Sequence, residues 1–437
     1  MSECDRSAWD GRQWLVCRFV GICLVLAFVG VGRGADWPQF NGPNRDNIST
    51  EKGLLKSWPE GGPKLLWVKP GFGDGYSSVA ISKKTIYTVG KVGTDMVVFA
   101  LDLNGEVKWT ATNGPAWRGG LPGTRCTPTV DGDYVYVMSG NGRVACLRAA
   151  DGDEVWAVNV RDKYDGRHGT WGYSESLLID GGRVICTPGG SKAVVLALDK
   201  MTGEEVWKTT GVDHAAGYAS AVAIAHGERR IVLTMTGAAL LGVDAADGSL
   251  LWHFEHVNEH GINAQTPLYH EGHVFISSGW DCGGVLIKLS ADGREIEEVW
   301  RNPDLDNDFG GVLFVKDSFY GFNWITNAEG QLMCVPIKTG ETVYARFTSD
   351  RKHKGAITWA GGMLYGYDEG GEVWLAHATP EKFEIVGRFN LPKGSGNHWA
   401  HPVVSGGRLY VRHGGFLHAY DVMDTVPAPA EENVTPP

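Results

Sequence analysis

Of the eight cysteines in this 437-residue chain, no two are adjacent and no two are spaced C-x-x-C. That removes the haem-attachment signature, the common zinc spacings and any disulfide framework readable from sequence. The densest basic patch is only Arg351-Lys352-His353-Lys354, and the formal charge is −11. Phosphate binding needs a basic stripe, so no nucleic-acid partner is expected. No GxSxG nucleophile elbow occurs. No apolar run reaches the roughly 20 residues that cross a bilayer. Instead the chain is rich in glycine and tryptophan, with 61 Gly and 17 Trp. Glycine is about twice its ordinary share of ~7%. The aromatics exclude a disordered chain. Glycine without a three-residue period excludes collagen, and so much glycine excludes a helical bundle.

The longest apolar run, Phe19 to Gly32, has 14 residues and follows Arg12 and Arg18. That length suits a signal-peptide core, with an uncleaved membrane anchor as the alternative reading. Small residues at Gly32 and Gly34 place cleavage after Gly34, so residues 1–34 read as a signal peptide. No membrane span is expected after cleavage, and the protein is expected to be periplasmic or secreted. Five cysteines then remain, Cys126, Cys146, Cys186, Cys282 and Cys334, and they read as mostly buried strand residues.

A short apolar strand centre recurs at Tyr87, Tyr136, Ile185, Val232, Phe275, Tyr320, Tyr365 and Tyr410, at steps of 43 to 49 residues. Each unit reads as a small-residue strand, a tight turn, this central strand, a third strand and a turn closing on Trp. The closing residues are Trp109, Trp156, Trp207, Trp252 and Trp300; Tyr344 and Gly387 stand at that place in units six and seven. Unit eight stops before any Trp, and Lys64-Leu65-Leu66-Trp67-Val68 supplies its fourth strand. Four strands every ~45 residues, repeated eight times, predict an all-β, eight-bladed β-propeller closed by an N-terminal strand. The expected organisation is a signal peptide (1–34), an N-terminal arm (35–62), the propeller (63–423) and a disordered tail (424–437).

The copies Ala100-Leu101-Asp102-Leu103-Asn104-Gly105-Glu106-Val107-Lys108-Trp109 and Ala197-Leu198-Asp199-Lys200-Met201-Thr202-Gly203-Glu204-Glu205-Val206-Trp207 resemble the tryptophan-docking repeat of pyrroloquinoline-quinone (PQQ) propellers. The resemblance covers about 360 residues, well in units one to four and poorly in seven and eight. It implies that Trp67, Trp109, Trp156, Trp207, Trp252 and Trp300 pack flat on the next blade. The same repeat occurs in quinoprotein dehydrogenases and in the lipoprotein of the outer-membrane β-barrel assembly machinery. The stretch Asp36-Trp37-Pro38-Gln39-Phe40-Asn41-Gly42-Pro43 is also similar to the start of many secreted bacterial PQQ-repeat proteins.

In such a propeller, the connections between strands two and three, and from strand four to the next blade, share one face. Here they are long, and long loops on a rigid scaffold concentrate binding residues. The candidates at the channel mouth are Arg125, Trp171, Tyr173, Glu175, His214, Tyr218, Asn263, Gln265, Asp308, Lys354, His398, Trp399 and His401. Five histidines there, His214, His260, His353, His398 and His401, read as lining a wet polar funnel, and no metal site is expected. The acidic loop Asp304 to Gly310 lacks Gly and Glu at EF-hand positions six and twelve.

Two functions follow. One is a ligand- or protein-binding scaffold module acting through the long-loop face. The other, implied by the resemblance, is a PQQ- and Ca²⁺-dependent alcohol or sugar dehydrogenase. Against the second, the adjacent-cysteine pair and the haem motif of many such enzymes are absent, and neither PQQ nor Ca²⁺ has a complete motif. Glu175, Asn263 and Asp308 stand nearest to a Ca²⁺ set by location. A polysaccharide-binding propeller, with Trp117, Trp171 and Trp399 as sugar platforms, is a third reading.

Overall fold

The computed structural model describes residues 36–424. The expected signal peptide (1–34) lies outside the described residues, as does the expected disordered tail beyond residue 424. Among the described residues, eight sheets built on four antiparallel strands form the eight blades, and in seven of them the four strands are consecutive in the chain. Blade one is typical: β3 (Ala80–Ser82), β4 (Thr85–Val92), β5 (Asp95–Leu101) and β6 (Val107–Pro115). The eighth blade borrows β2 (Lys64–Pro70), which pairs with the strand Phe416–Asp421. Blade seven gains a fifth, parallel strand, β1 (Ile48–Ser49). Radial repetition of the blades leaves only short sheet edges.

The blade repeat has a physical cause in the outer strand. In β6 one residue is unpaired just before Trp109: Leu101 opposes Val107 while Ala100 opposes Trp109. The same bulge precedes Trp67, Trp156, Trp207, Trp252, Trp300 and Gly387. It re-aims the indole toward the neighbouring blade. Each indole N–H then donates to a carbonyl there: Trp67 to Leu103, Trp109 to Ala149, Trp156 to Lys200, Trp207 to Ala245, Trp252 to Gly293 and Trp300 to Ile337, all at 2.8–3.0 Å. A glycine in the receiving turn makes the room. A Cβ on Gly203, whose φ is +73°, would lie 2.6 Å from the Trp156 ring. Both features are local, so a 45-residue unit carries its own docking surface.

Blades six and seven lack the docking Trp. Tyr344 takes the place in blade six, opposite Cys334. In blade seven Gly387 opposes Leu375, and the N-terminal arm fills the gap: a Cβ on Gly387 would lie 2.5 Å from the Cβ of Trp58. The Trp58 ring sits 5.8 Å from Tyr365, close to the 6.0 Å between Trp109 and Tyr87 in blade one.

The arm also crosses the central channel. Trp37 exchanges two backbone hydrogen bonds with Ile81 of blade one, and Val130 of blade two donates to the Pro38 carbonyl. The buried Arg45 guanidinium donates to the carbonyls of Ser176, Leu177 and Ala221, in blades three and four. Asn47 reaches blade seven through Ile357 and touches His401 at 3.1 Å. Glu51 accepts from Gly406 and Gly407 in blade eight. Six blades are therefore tied by one strap of chain, and the strap floors the channel.

Candidate functional site

Five loop positions share one register. Ser78, Thr127, Ser176, Ser220 and Thr266 each stand two residues before the inner strand of their blade. The Thr127, Ser176 and Ser220 hydroxyls accept from the backbone N–H of Ser78, Thr127 and Ser176, respectively. This relay holds the loop ends of blades one to four together. Two residues before each of the five hydroxyls stand Tyr76, Arg125, Ser174, Tyr218 and Ala264, and all five line one cavity of about 420 Å³ on the long-loop face.

The cavity is an aromatic cup. Its wall includes Tyr76, Trp171, Tyr218, Trp280, Phe309 and Trp399, with Phe40 of the arm entering from the channel side. Neighbouring rings meet at a tilt, 44° for Tyr76 and Trp399 and 53° for Trp171 and Tyr218, so the wall is concave. Phe40 packs 4.9 Å from the buried His401, whose ring also contacts the Phe309 carbonyl at 3.1 Å. Volume and lining match ordinary small-ligand sites, which are largely apolar with a few placed polar groups.

Those polar groups are few. Arg125 lies over the Tyr76 ring at 5.5 Å and donates to the carbonyls of Gly120, Leu121 and Gly123. Among the described residues no carboxylate is within ion-pair distance of it, and burial lowers its pKa. Lys354 and Asp308 form a buried ion pair at 2.6 Å. Glu369 accepts from the Trp399 indole at 2.5 Å through Oε1, while its buried Oε2 has no partner. Burial pushes its pKa up to about 7, against the pull of the Lys354 ammonium.

Of the thirteen sequence candidates, Arg125, Trp171, Tyr218, Asp308, Trp399 and His401 lie on the cup, and Lys354 stands behind Asp308. The others do not join them. His214 lines a separate depression with His168 and His260. Tyr173 is buried and donates to the Pro188 carbonyl at 2.8 Å. His398 contacts the Tyr367 hydroxyl at 2.6 Å and stacks on His413 at 3.6 Å; burial and then His413 lower its pKa to about 4. Gln265 is buried and accepts from the Val312 N–H at 2.7 Å.

Glu175 and Asn263 are also committed elsewhere. The Glu175 carboxylate accepts from the Thr187 N–H and hydroxyl, and burial raises its pKa to about 7. The Asn263 amide donates to the carbonyls of Thr236 and His256, and its oxygen accepts from Ser278. With Asp308 already paired to Lys354, these three do not fit a Ca²⁺ site. In the 304–310 loop, Asp306 accepts from the N–H groups of Asp281 and Trp324, away from Asp308. Among the described residues no group of three or more His, Cys, Asp or Glu is arranged to hold a metal ion.

Sequence reasoning missed Phe40, Tyr76, Phe309 and Glu369. Tyr76 was detectable, since it repeats the Arg125 and Tyr218 register. Glu369 sits in the short turn Asp368-Glu369-Gly370-Gly371, whose length gave no sign of a site.

A family model described as outer membrane protein assembly factor BamB matches residues 94–346, just over half of the chain. A quinoprotein ethanol dehydrogenase of Pseudomonas aeruginosa is 30% identical over 189 residues, 43% of this chain and 24% of that protein. The outer membrane protein assembly factor BamB of Kangiella koreensis is 24% identical over 223 residues, 50% of this chain and 52% of that protein. The chain thus spans a quarter to half of these relatives' length. Among solved structures, BamB from Moraxella catarrhalis superposes with a TM-score of 0.58 at 16% identity, over 82% of this chain and 97% of that one. Quinohemoprotein alcohol dehydrogenase from Comamonas testosteroni does so at 0.62 and 14%, over 90% and 81%. At these identities the likeness is one of fold.

Proposed function

The chain belongs to the family described as outer membrane protein assembly factor BamB, and from that premise we propose that it is a non-catalytic binding and scaffold propeller. It takes a small ligand, or a side chain of a protein partner, into the aromatic cup of its long-loop face. One observation carries this reading: the cup is ligand-sized and aromatic, while the Glu175–Asn263–Asp308 set is consumed by internal bonds. A rigid floor with concave aromatic walls suits recognition, because tight packing there costs the ligand little reorganisation.

The N-terminal sequence supports export, with residues 1–34 as the signal and the mature chain beginning at Ala35. N-terminal sequencing of exported protein checks that start. No helix among the described residues is long and apolar enough to cross a membrane.

The similarity to quinoprotein alcohol dehydrogenases keeps one competing function in view, PQQ- and Ca²⁺-dependent oxidation of alcohols. The deciding experiment adds PQQ and Ca²⁺ to purified protein and follows dye reduction with a panel of alcohols and sugars. The proposed function predicts no turnover. Saturable turnover that is lost with chelator would replace it with the dehydrogenase.

A further inference from the structure

The protein carries a formal charge of −11, yet its cup does not share that sign. Lys354 and Asp308 neutralise each other at 2.6 Å. Arg125 meets only backbone carbonyls and the Tyr76 ring. The remaining ionisable carboxyl on the wall is Glu369. Among the described residues it makes no ion pair, and one of its oxygens is buried without a partner. A carboxylate so placed is costly to ionise, because it is largely buried, no cation bonds it among the described residues and its Oε2 meets no donor.

From this, and resting on the ligand-cup reading above, we infer that Glu369 is the residue that sets the charge preference of the cup. While its carboxyl is neutral, the cup holds one uncompensated cation, Arg125, and selects a ring compound bearing a single carboxylate. When Glu369 ionises, that preference is lost and an uncharged ring of the same shape binds about as well.

The groups facing Glu369 determine how the switch works. Its N–H donates to the Lys354 carbonyl at 2.9 Å. Lys354, Asp308 and Asp368 act on it through space, and Trp399 fixes its other oxygen. His353 acts on Asp368 from the same side. His401 and His398 are held neutral near pH 7, since burial lowers both to about 4. Arg125 and Tyr76 line the same cup. The raised carboxyl, near 7, puts the change in a pH range where a carboxylate probe keeps its charge.

The test is calorimetric titration of full-length mature protein with 2-naphthoate and 2-naphthylmethanol, which share a ring and differ in charge. At pH 6 the carboxylate is expected to bind more tightly than the alcohol. By pH 8.5 its affinity should fall about tenfold, the order expected for one partly screened charge within the site. Glu369→Gln should keep the pH 6 preference at pH 8.5, and Arg125→Gln should lose it at both. If both probes bind through Trp171 but naphthoate affinity is unchanged with pH, or Glu369→Gln tracks the wild type, the inference falls and the cup reading stands. If neither probe binds, or Trp171→Ala leaves binding intact, the cup reading itself falls.

Discussion

Trp58 stands over Gly387 where six other blades use a Trp from their own outer strand, so a residue of the arm completes the docking ring of blade seven. It is only 6% exposed and packs on Phe389 at 5.6 Å. Unlike the six strand-borne indoles, its N–H has no partner. Its contribution is therefore packing. Trp58→Ala should cost about 3–5 kcal/mol, the range for removing a buried Trp, measured by denaturant unfolding. A loss below about 1 kcal/mol would mean that the arm only covers the blade, since ordinary surface changes stay within about ±0.5.

Gly387→Ala gives a second handle on the same contact. The added Cβ meets the Trp58 Cβ in the wild type, an atom that Trp58→Ala would keep, so the partner variant in the cycle is Trp58→Gly, which removes it. The single variant should be destabilised, and its cost should shrink in the double variant, giving a coupling of about 1 kcal/mol or more in a double-mutant cycle. Strict additivity would contradict direct contact.

Gly203 tests the docking turn itself. With φ at +73° and the Trp156 ring 2.6 Å from where a Cβ would stand, Gly203→Ala is strained in backbone and in packing. Thermal unfolding should show a loss of about 2 kcal/mol or more.

Stability should change with pH in a direction that the buried carboxyls dictate. Glu175, Asp306 and Glu369 are raised to about 7, each first by burial. The folded state thus holds their protons more tightly than the unfolded state. That stabilisation is fully present below the ordinary carboxylate range and is lost as pH rises through about 7. Burial lowers His256, His401 and His418 to about 4, so they act oppositely, and their contribution is lost as pH falls from about 6.5 toward 4. Between pH 6.5 and 8 the carboxyls act alone, and the melting temperature should fall. Glu369→Gln should make that fall shallower.

The ring was legible in the sequence for a reason specific to its parts. Trp109, Trp156 and Trp207 each repeat one local event, a bulge that sends an indole onto the next blade's glycine. Local events leave a period. The cup was only partly legible. Arg125, Trp171, Tyr218 and Trp399 sit in long irregular loops and stand out. Glu175 and Asn263 sit in similar loops but turn inward to bond backbone, a choice of side-chain direction that spacing does not encode. Phe40 and Trp58 are further removed. Their partners His401 and Gly387 lie more than 300 residues away, and no repeat marks a contact made once.

The most direct test of the binding cup is native mass spectrometry of protein purified from the organism that encodes it, wild type beside a Trp171→Ala/Trp399→Ala double variant that is still folded. The account predicts a retained small molecule or a specific partner on the wild type that is lost from the variant. Equal retention by both, or an unchanged partner complex, would contradict the assignment of the cup as the binding site.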